Sequence, residues 1–201
     1  RGFRGVITMY FRKEITEKDK PVVPFIYKGY RLYPIRKIDK EKYLTFLNTV
    51  HEEGNGGNYV NLDMDNHMNY ITNRYDGKCN RAFFVFKDGR IVGDLFVMGL
   101  DSTIGGTAYV TTIGLLKEHR GKGIGRGLMT VAETLARDAR CRYVELSVLI
   151  DNPDVLGFYE KLGYSVCSKD SGGWSLRKDL TVVPKTNNSR TVIKNTAYYV
   201  K

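Results

Sequence analysis

The chain has 201 residues, 42% of them apolar and 27% charged, which suits one folded domain and argues against both a disordered chain and a membrane protein. With 32 basic against 22 acidic residues the formal charge is +10, a field that attracts anionic partners such as a phosphorylated cofactor or nucleic acid, or that serves solubility alone. The three cysteines, Cys79, Cys141 and Cys167, are too few and too scattered for a disulfide framework or a zinc cluster, so a reducing, cytoplasmic compartment is expected and no metal is assigned.

Residues 1–28 mix basic residues with short apolar runs, and Pro21 and Pro24 break any helix there, which predicts an N-terminal extension without the apolar core of a signal peptide. Arg31-Leu-Tyr-Pro-Ile-Arg predicts a strand. Asp39 is placed to cap a helix whose positions Tyr43, Leu44, Leu47 and Val50 keep helical spacing, and Met64, Met68, Ile71 and Tyr75 predict a second helix from about Asp63. The period then changes to that of strands, because Ala82-Phe-Phe-Val-Phe and Ile91-Val-Gly-Asp-Leu-Phe-Val flank Asp88-Gly89, a dipeptide suited to a type I′ hairpin turn.

A third strand is predicted over 107–116, followed by a glycine loop and an amphipathic helix over 125–139. Its apolar stripe is Leu128, Val131, Ala132, Leu135, Ala136 and Ala139, while Arg126, Glu133, Arg137 and Arg140 face elsewhere. Tyr143 to Leu149 reads as a buried strand, parallel to the one before because a helix crosses between them. Asn152 is placed to cap a short helix with Pro153 at its first position and Leu156, Tyr159 and Leu162 as its apolar stripe, Gly163 ends it, and two strands close the domain near Leu180. Residues 181–201 form a C-terminal tail, and with 1–28 they are the basic arms available to an anionic partner.

The chemistry concentrates in Glu118-His-Arg-Gly-Lys-Gly-Ile-Gly-Arg-Gly, between a strand and a helix. Glycines admit close backbone approach and a helix N-terminus offers N–H groups with a positive dipole end, a combination that binds phosphate. A nucleotide-binding loop ending Gly-Lys-Ser/Thr fails because Gly123 follows Lys122, and the dinucleotide fingerprint fails because Arg126 stands at the third glycine.

The remaining spacing, Arg-x-x-Gly-x-Gly at Arg120, Gly123 and Gly125, resembles that of the GNAT superfamily of acyl-CoA-dependent N-acetyltransferases. The downstream stretch Asn152-Pro-Asp-Val-Leu-Gly-Phe-Tyr-Glu-Lys-Leu-Gly-Tyr is similar to a second motif of that family. The resemblance covers residues 30–180 and implies an α/β (α+β) fold over 29–180, with a mixed, mostly antiparallel sheet flanked by helices and splayed between two parallel strands. It implies that the backbone of Arg120, Gly121, Lys122, Gly123, Ile124, Gly125 and Arg126 wraps the pyrophosphate of acetyl-CoA, and that Leu115 and Leu116 pair with its pantetheine arm. By the same resemblance Asn152 contacts that arm or orients the helix, and Tyr159 protonates the departing thiolate. Lys117 departs from the proline common there, which alters the turn without abolishing binding.

The implied reaction is direct attack of a primary amine on the thioester in a ternary complex. A free phenol, with a pKa near 10, matches an alkyl thiol as proton donor. Glu145, Asp94 or a backbone-held water are open as the base, and His119 is read as a surface residue or a phosphate contact. The acceptor is unassigned among small molecules, protein amines and aminoacyl-tRNA, with neutral or anionic acceptors favoured by the basic charge. The alternative is a catalytically inactive module of the same fold that binds nucleic acid or an assembly. Oligomeric state is not read from the sequence.

Overall fold

The computed structural model describes residues 26–36, 39–53, 63–72, 80–101, 104–150 and 152–181. Most of the expected extension and tail, Tyr75 of the second predicted helix, and Cys79 lie outside the described residues. Among the described residues eight strands form one sheet: β1 (Ile26–Tyr27), β2 (Tyr30–Pro34), β3 (Arg81–Lys87), β4 (Arg90–Met98), β5 (Thr107–Leu115), β6 (Tyr143–Leu149), β7 (Ser165–Lys169) and β8 (Gly173–Asp179). Their spatial order is β1-β2-β3-β4-β5-β6-β8-β7, and every neighbouring pair is antiparallel except β5 with β6.

The helices α1 (Lys40–Glu52) and α2 (Met64–Thr72) cover one face of the sheet, burying Tyr43, Phe46, Leu47, Met64 and Met68 against Phe84 and Phe96. The long helix α3 (Ile124–Asp138) and the short α4 (Leu156–Glu160) cover the other, where Leu128, Ala132 and Ala136 meet Leu95, Val97, Val110 and Leu146. Both helix faces were legible as i, i+3, i+4 stripes, whose burial against a sheet is the main source of helix stability here. Two polar positions differ from expectation. Asp39 turns its carboxylate back to the Arg36 N–H and guanidinium at 3.0 Å, an ion pair that supplants the predicted helix cap. Glu133, expected on the solvent face of α3, is buried and takes Lys178 Nζ at 2.7 Å, because β8 carries that lysine under the helix.

The hairpin between β3 and β4 turns at Asp88 (φ 49°) and Gly89 (φ 79°), the two positive values of a type I′ turn. Along the β4–β5 ladder Val97 pairs with Val110 but Phe96 pairs with Thr112, so Thr111 is an extra residue in β5. Such a bulge adds local twist. Beyond it Gly93 and Gly114 let the two strands approach closely: a Cβ on Gly93 would lie 2.5 Å from the Gly114 carbonyl oxygen, and one on Gly114 would lie 2.7 Å from Asp94 Oδ1.

The twist separates β5 from β6. Their parallel pairing runs only from Thr107↔Tyr143 to Val110↔Leu146. Past that point β5 stays with β4 as far as Leu115↔Gly93, and β6 stays with β8 as far as Leu149↔Gly173. The sheet therefore opens into a cleft between the ends of its two parallel strands, as the resemblance implies.

Candidate functional site

The cleft is bounded on one side by the end of β5, whose chain leaves through Leu116 (φ −56°, ψ 146°) into a single 3-10 turn over Lys117–His119. Arg120 is extended, Gly121 (φ 70°) and Gly123 (φ 82°) adopt left-handed conformations, and α3 starts at Ile124. These two glycines are used where a side chain would be strained. Gly123 occupies the N-cap of α3 and offers no side chain to cap it, and the first turn carries no acidic residue. The first N–H groups of a fifteen-residue helix thus lack the side-chain acceptors that normally satisfy them, beside an exposed Gly121-Lys122-Gly123 and an exposed Arg126. An anion is the ligand such an end favours.

Ile124, fully buried, anchors the start of α3, and Gly125 lies against α4: a Cβ there would be 3.4 Å from the Phe158 ring. The next residue on α4 is Tyr159, in the same apolar cluster as Ile124 and Leu115. The fold thus joins the glycine loop to the tyrosine helix, two segments separated by some thirty residues in sequence. The Tyr159 ring packs edge-on to Phe158 (5.0 Å) and Tyr164 (6.0 Å), and the residue is 8% exposed. Burial pushes its hydroxyl up to about 12, so the match to a thiol expected for a free phenol does not hold in the ligand-free protein. No hydrogen bond engages that hydroxyl among the described residues.

Asn152 departs from its predicted capping role. Its backbone (φ −128°, ψ 53°) precedes a 3-10 turn at Pro153–Val155, but its side chain makes no capping bond and is exposed. Leu115 is buried, and Leu116 is partly buried against both apolar clusters while its N–H donates to the Val92 carbonyl at 2.9 Å. His119, read from sequence as a surface residue or phosphate contact, is instead held from β2: its Nδ1 lies 2.9 Å from the Tyr30 hydroxyl, with its side chain only 14% exposed.

Arg120 presents a further difference. Its Nε donates to the Leu115 carbonyl at 2.8 Å and its terminal nitrogen to Glu53 Oε2 at 2.9 Å, so the guanidinium braces the loop from behind. Glu53 had no signal in the sequence: it lies 67 residues away at the end of α1, and only the packing of α1 over the sheet brings it to the loop.

The two candidate bases fare differently. Glu145 on β6 forms an ion pair with Arg177 of β8, its partner in register. Asp94 on β4 is 1% exposed, accepts a hydrogen bond from the Tyr43 hydroxyl at 2.9 Å and another from the Gly114 N–H, and is pushed up to about 7 by burial, the larger effect. Among the described residues no helix is long and apolar enough to cross a membrane.

The comparisons agree with this geometry. A curated relative, an uncharacterized N-acetyltransferase of Methanocaldococcus jannaschii, is 35% identical over 85 residues, 41% of this chain and 52% of its own length; the chain thus spans about half of that relative. Among solved structures, the PaiA N-acetyltransferase of Thermoplasma acidophilum in complex with coenzyme A shares the fold with a TM-score of 0.63 at 18% identity, over 75% of this chain and 98% of that one. The GNAT domain of S. lividans PAT does so with a TM-score of 0.62 at 18% identity, over 75% and 90%. The splay between β5 and β6, the glycine turn into an uncapped helix and the tyrosine helix packed beside it all fall within residues 45–164, the segment that matches the family model described as the acetyltransferase (GNAT) family, and the chain belongs to that family.

Proposed function

We propose that the protein transfers an acetyl group from acetyl-CoA to a primary amine by direct attack within a ternary complex. The observation that carries this reading is the end of the β5–β6 pairing at Val110↔Leu146, which opens the sheet beside the uncapped N-terminus of α3. The fit is chemical: backbone N–H groups from Gly121 to Arg126 suit a pyrophosphate, and the edge of β5 from Thr111 to Leu115, free of a strand partner on the β6 side, suits the amides of a pantetheine arm.

In this reading the amine nitrogen bonds to the thioester carbonyl carbon and the carbon–sulfur bond breaks. A backbone N–H near Leu115 steadies the oxygen on which negative charge develops. Tyr159 delivers its proton to the departing sulfur. With a hydroxyl near 12 it is fully protonated at neutral pH, and donor binding must bring the phenol and the thiol closer in proton affinity for the transfer to proceed. The amine loses its proton to water: Glu145 is engaged by Arg177, and Asp94, whose affinity for a proton suits a base, is sealed from contact.

The experiment is to incubate the full chain with acetyl-CoA and a panel of amines comprising small molecules, peptides with free N-termini or lysines, and aminoacyl-tRNA, following thiol release. Amine-dependent release supports the reading, with neutral and anionic acceptors ahead of polycationic ones. Absence of release across the panel, despite acetyl-CoA binding, would favour a binding module over an enzyme.

A further inference from the structure

Glu53 is oddly placed for a surface carboxylate. It directly follows the last residue of α1, where the helix dipole disfavours negative charge, yet its side chain is only 22% exposed. A residue that breaks a local rule signals a role set by tertiary contacts. Those contacts are specific: Glu53 Oε2 accepts the Lys117 N–H at 2.7 Å and the Arg120 guanidinium at 2.9 Å, and Arg120 in turn grips the Leu115 carbonyl at 2.8 Å. The 3-10 turn between them is closed by His119 N–H to Leu116 and Arg120 N–H to Lys117. One carboxylate, contributed from the opposite face of the sheet, therefore holds both the start of the turn, through the Lys117 N–H, and its end, through the Arg120 guanidinium, which in turn holds the last carbonyl of β5.

We propose that Glu53 is a positioning residue for the donor site, fixing the exit of β5 so that the Gly121–Gly123 amides and the first turn of α3 are aimed together, and that the Arg120 side chain serves as its bridge, not as a ligand of the pyrophosphate. The proposal rests on the acetyl-CoA reading above. Electrostatics and positioning predict opposite signs, which makes the test decisive. Glu53 is an anion beside an anion site, so if it acted through charge alone, Glu53→Gln would tighten binding of CoA. If it acts by positioning, the same change weakens binding, because the neutral amide holds the guanidinium less strongly.

The experiment is calorimetric titration of the full chain with CoA, in parallel with thermal unfolding without ligand. Glu53→Gln is expected to weaken CoA roughly three- to tenfold, a range set by the partial exposure of the pair. Lys117→Pro removes the N–H donor together with the lysine cation, while Lys117→Ala removes the cation alone; ψ of 146° at Leu116 and the first position of the 3-10 turn both accept a proline, and Lys117→Pro is expected to weaken CoA more than Lys117→Ala. In a double-mutant cycle, Arg120→Ala costs little further affinity once Glu53→Ala is present. Unchanged or tighter binding in Glu53→Gln, or additive losses in the cycle, would overturn the proposal while leaving the acetyl-CoA reading intact. A wild-type chain that does not bind CoA would overturn both. A ligand-free midpoint within about 2 °C of wild type separates positioning from general loosening of the fold.

Discussion

At Asp94 the cost of burying a carboxyl becomes a pH dependence. Burial raises it from 3.8 to about 7, while the bonds from Tyr43 and Gly114 pull the other way and do not prevail. Below pH 4 the group is protonated in both folded and unfolded chains. Between about 4 and 7 the unfolded chain has released a proton that the folded one retains, so stability falls as pH rises, and it levels off above 7 after a loss of about 4 kcal/mol at most. Asp94→Asn keeps the shape and lets the Tyr43 hydroxyl rotate to accept a hydrogen bond. Urea unfolding of that variant is expected to show no decline over this window and a gain of about 2 kcal/mol at pH 8; a persisting decline would place the slope on another group. Tyr159 differs because its hydroxyl contributes little to packing. Tyr159→Phe is expected to leave stability within about 0.5 kcal/mol and CoA affinity unchanged, and to lower turnover by about a hundredfold. An unchanged turnover would remove it from the acid role.

At the scale of elements, the loop and α3 work as one unit. The left-handed Gly123 ends the loop and occupies the N-cap position in the same residue, so side chains introduced there meet backbone strain and, in the reading proposed above, the anion. The two can be separated: Asn and Asp both tolerate the left-handed region better than other side chains, and they differ in charge. Gly123→Asp is expected to abolish CoA binding and Gly123→Asn to weaken it far less, as read by titration. Equal losses would assign the effect to strain and leave the anion site unsupported. The elements themselves were largely legible. The Asp88-Gly89 turn follows from the positive φ that type I′ geometry demands, and the α3 stripe from its period. The Asn152 cap and the Asp39 cap were misread for one reason: a side chain that can cap a helix can equally serve a neighbour or stay in water, and local sequence does not choose between them.

At the scale of the whole molecule, the cleft depends on strands that separate, which ties ligand binding to global stability. Acetyl-CoA at about 100 times its Kd should add about 2.7 kcal/mol, a rise in Tm of roughly 5 to 10 °C for a chain of this size. Loss of the rise in Gly123→Asp would locate the donor at the loop. No rise in the wild type would favour the binding-module reading and turn attention to the basic arms, where salt-sensitive association with nucleic acid is the expected sign.

The sequence by itself determined the order and type of the elements and the place of the glycine loop, because periodicity, turn chemistry and motif spacing are local properties. It also determined the family, since both motifs lie in one continuous stretch within residues 45–164. Tertiary structure alone decided what surrounds each candidate side chain. It gave Arg120 a bond to Glu53 from the far side of the sheet, buried Asp94 under Tyr43, and enclosed Tyr159 between Phe158 and Tyr164. Each of these outcomes depends on burial or on a partner distant in the chain, and desolvation and ion pairing act through space, where sequence separation carries no information.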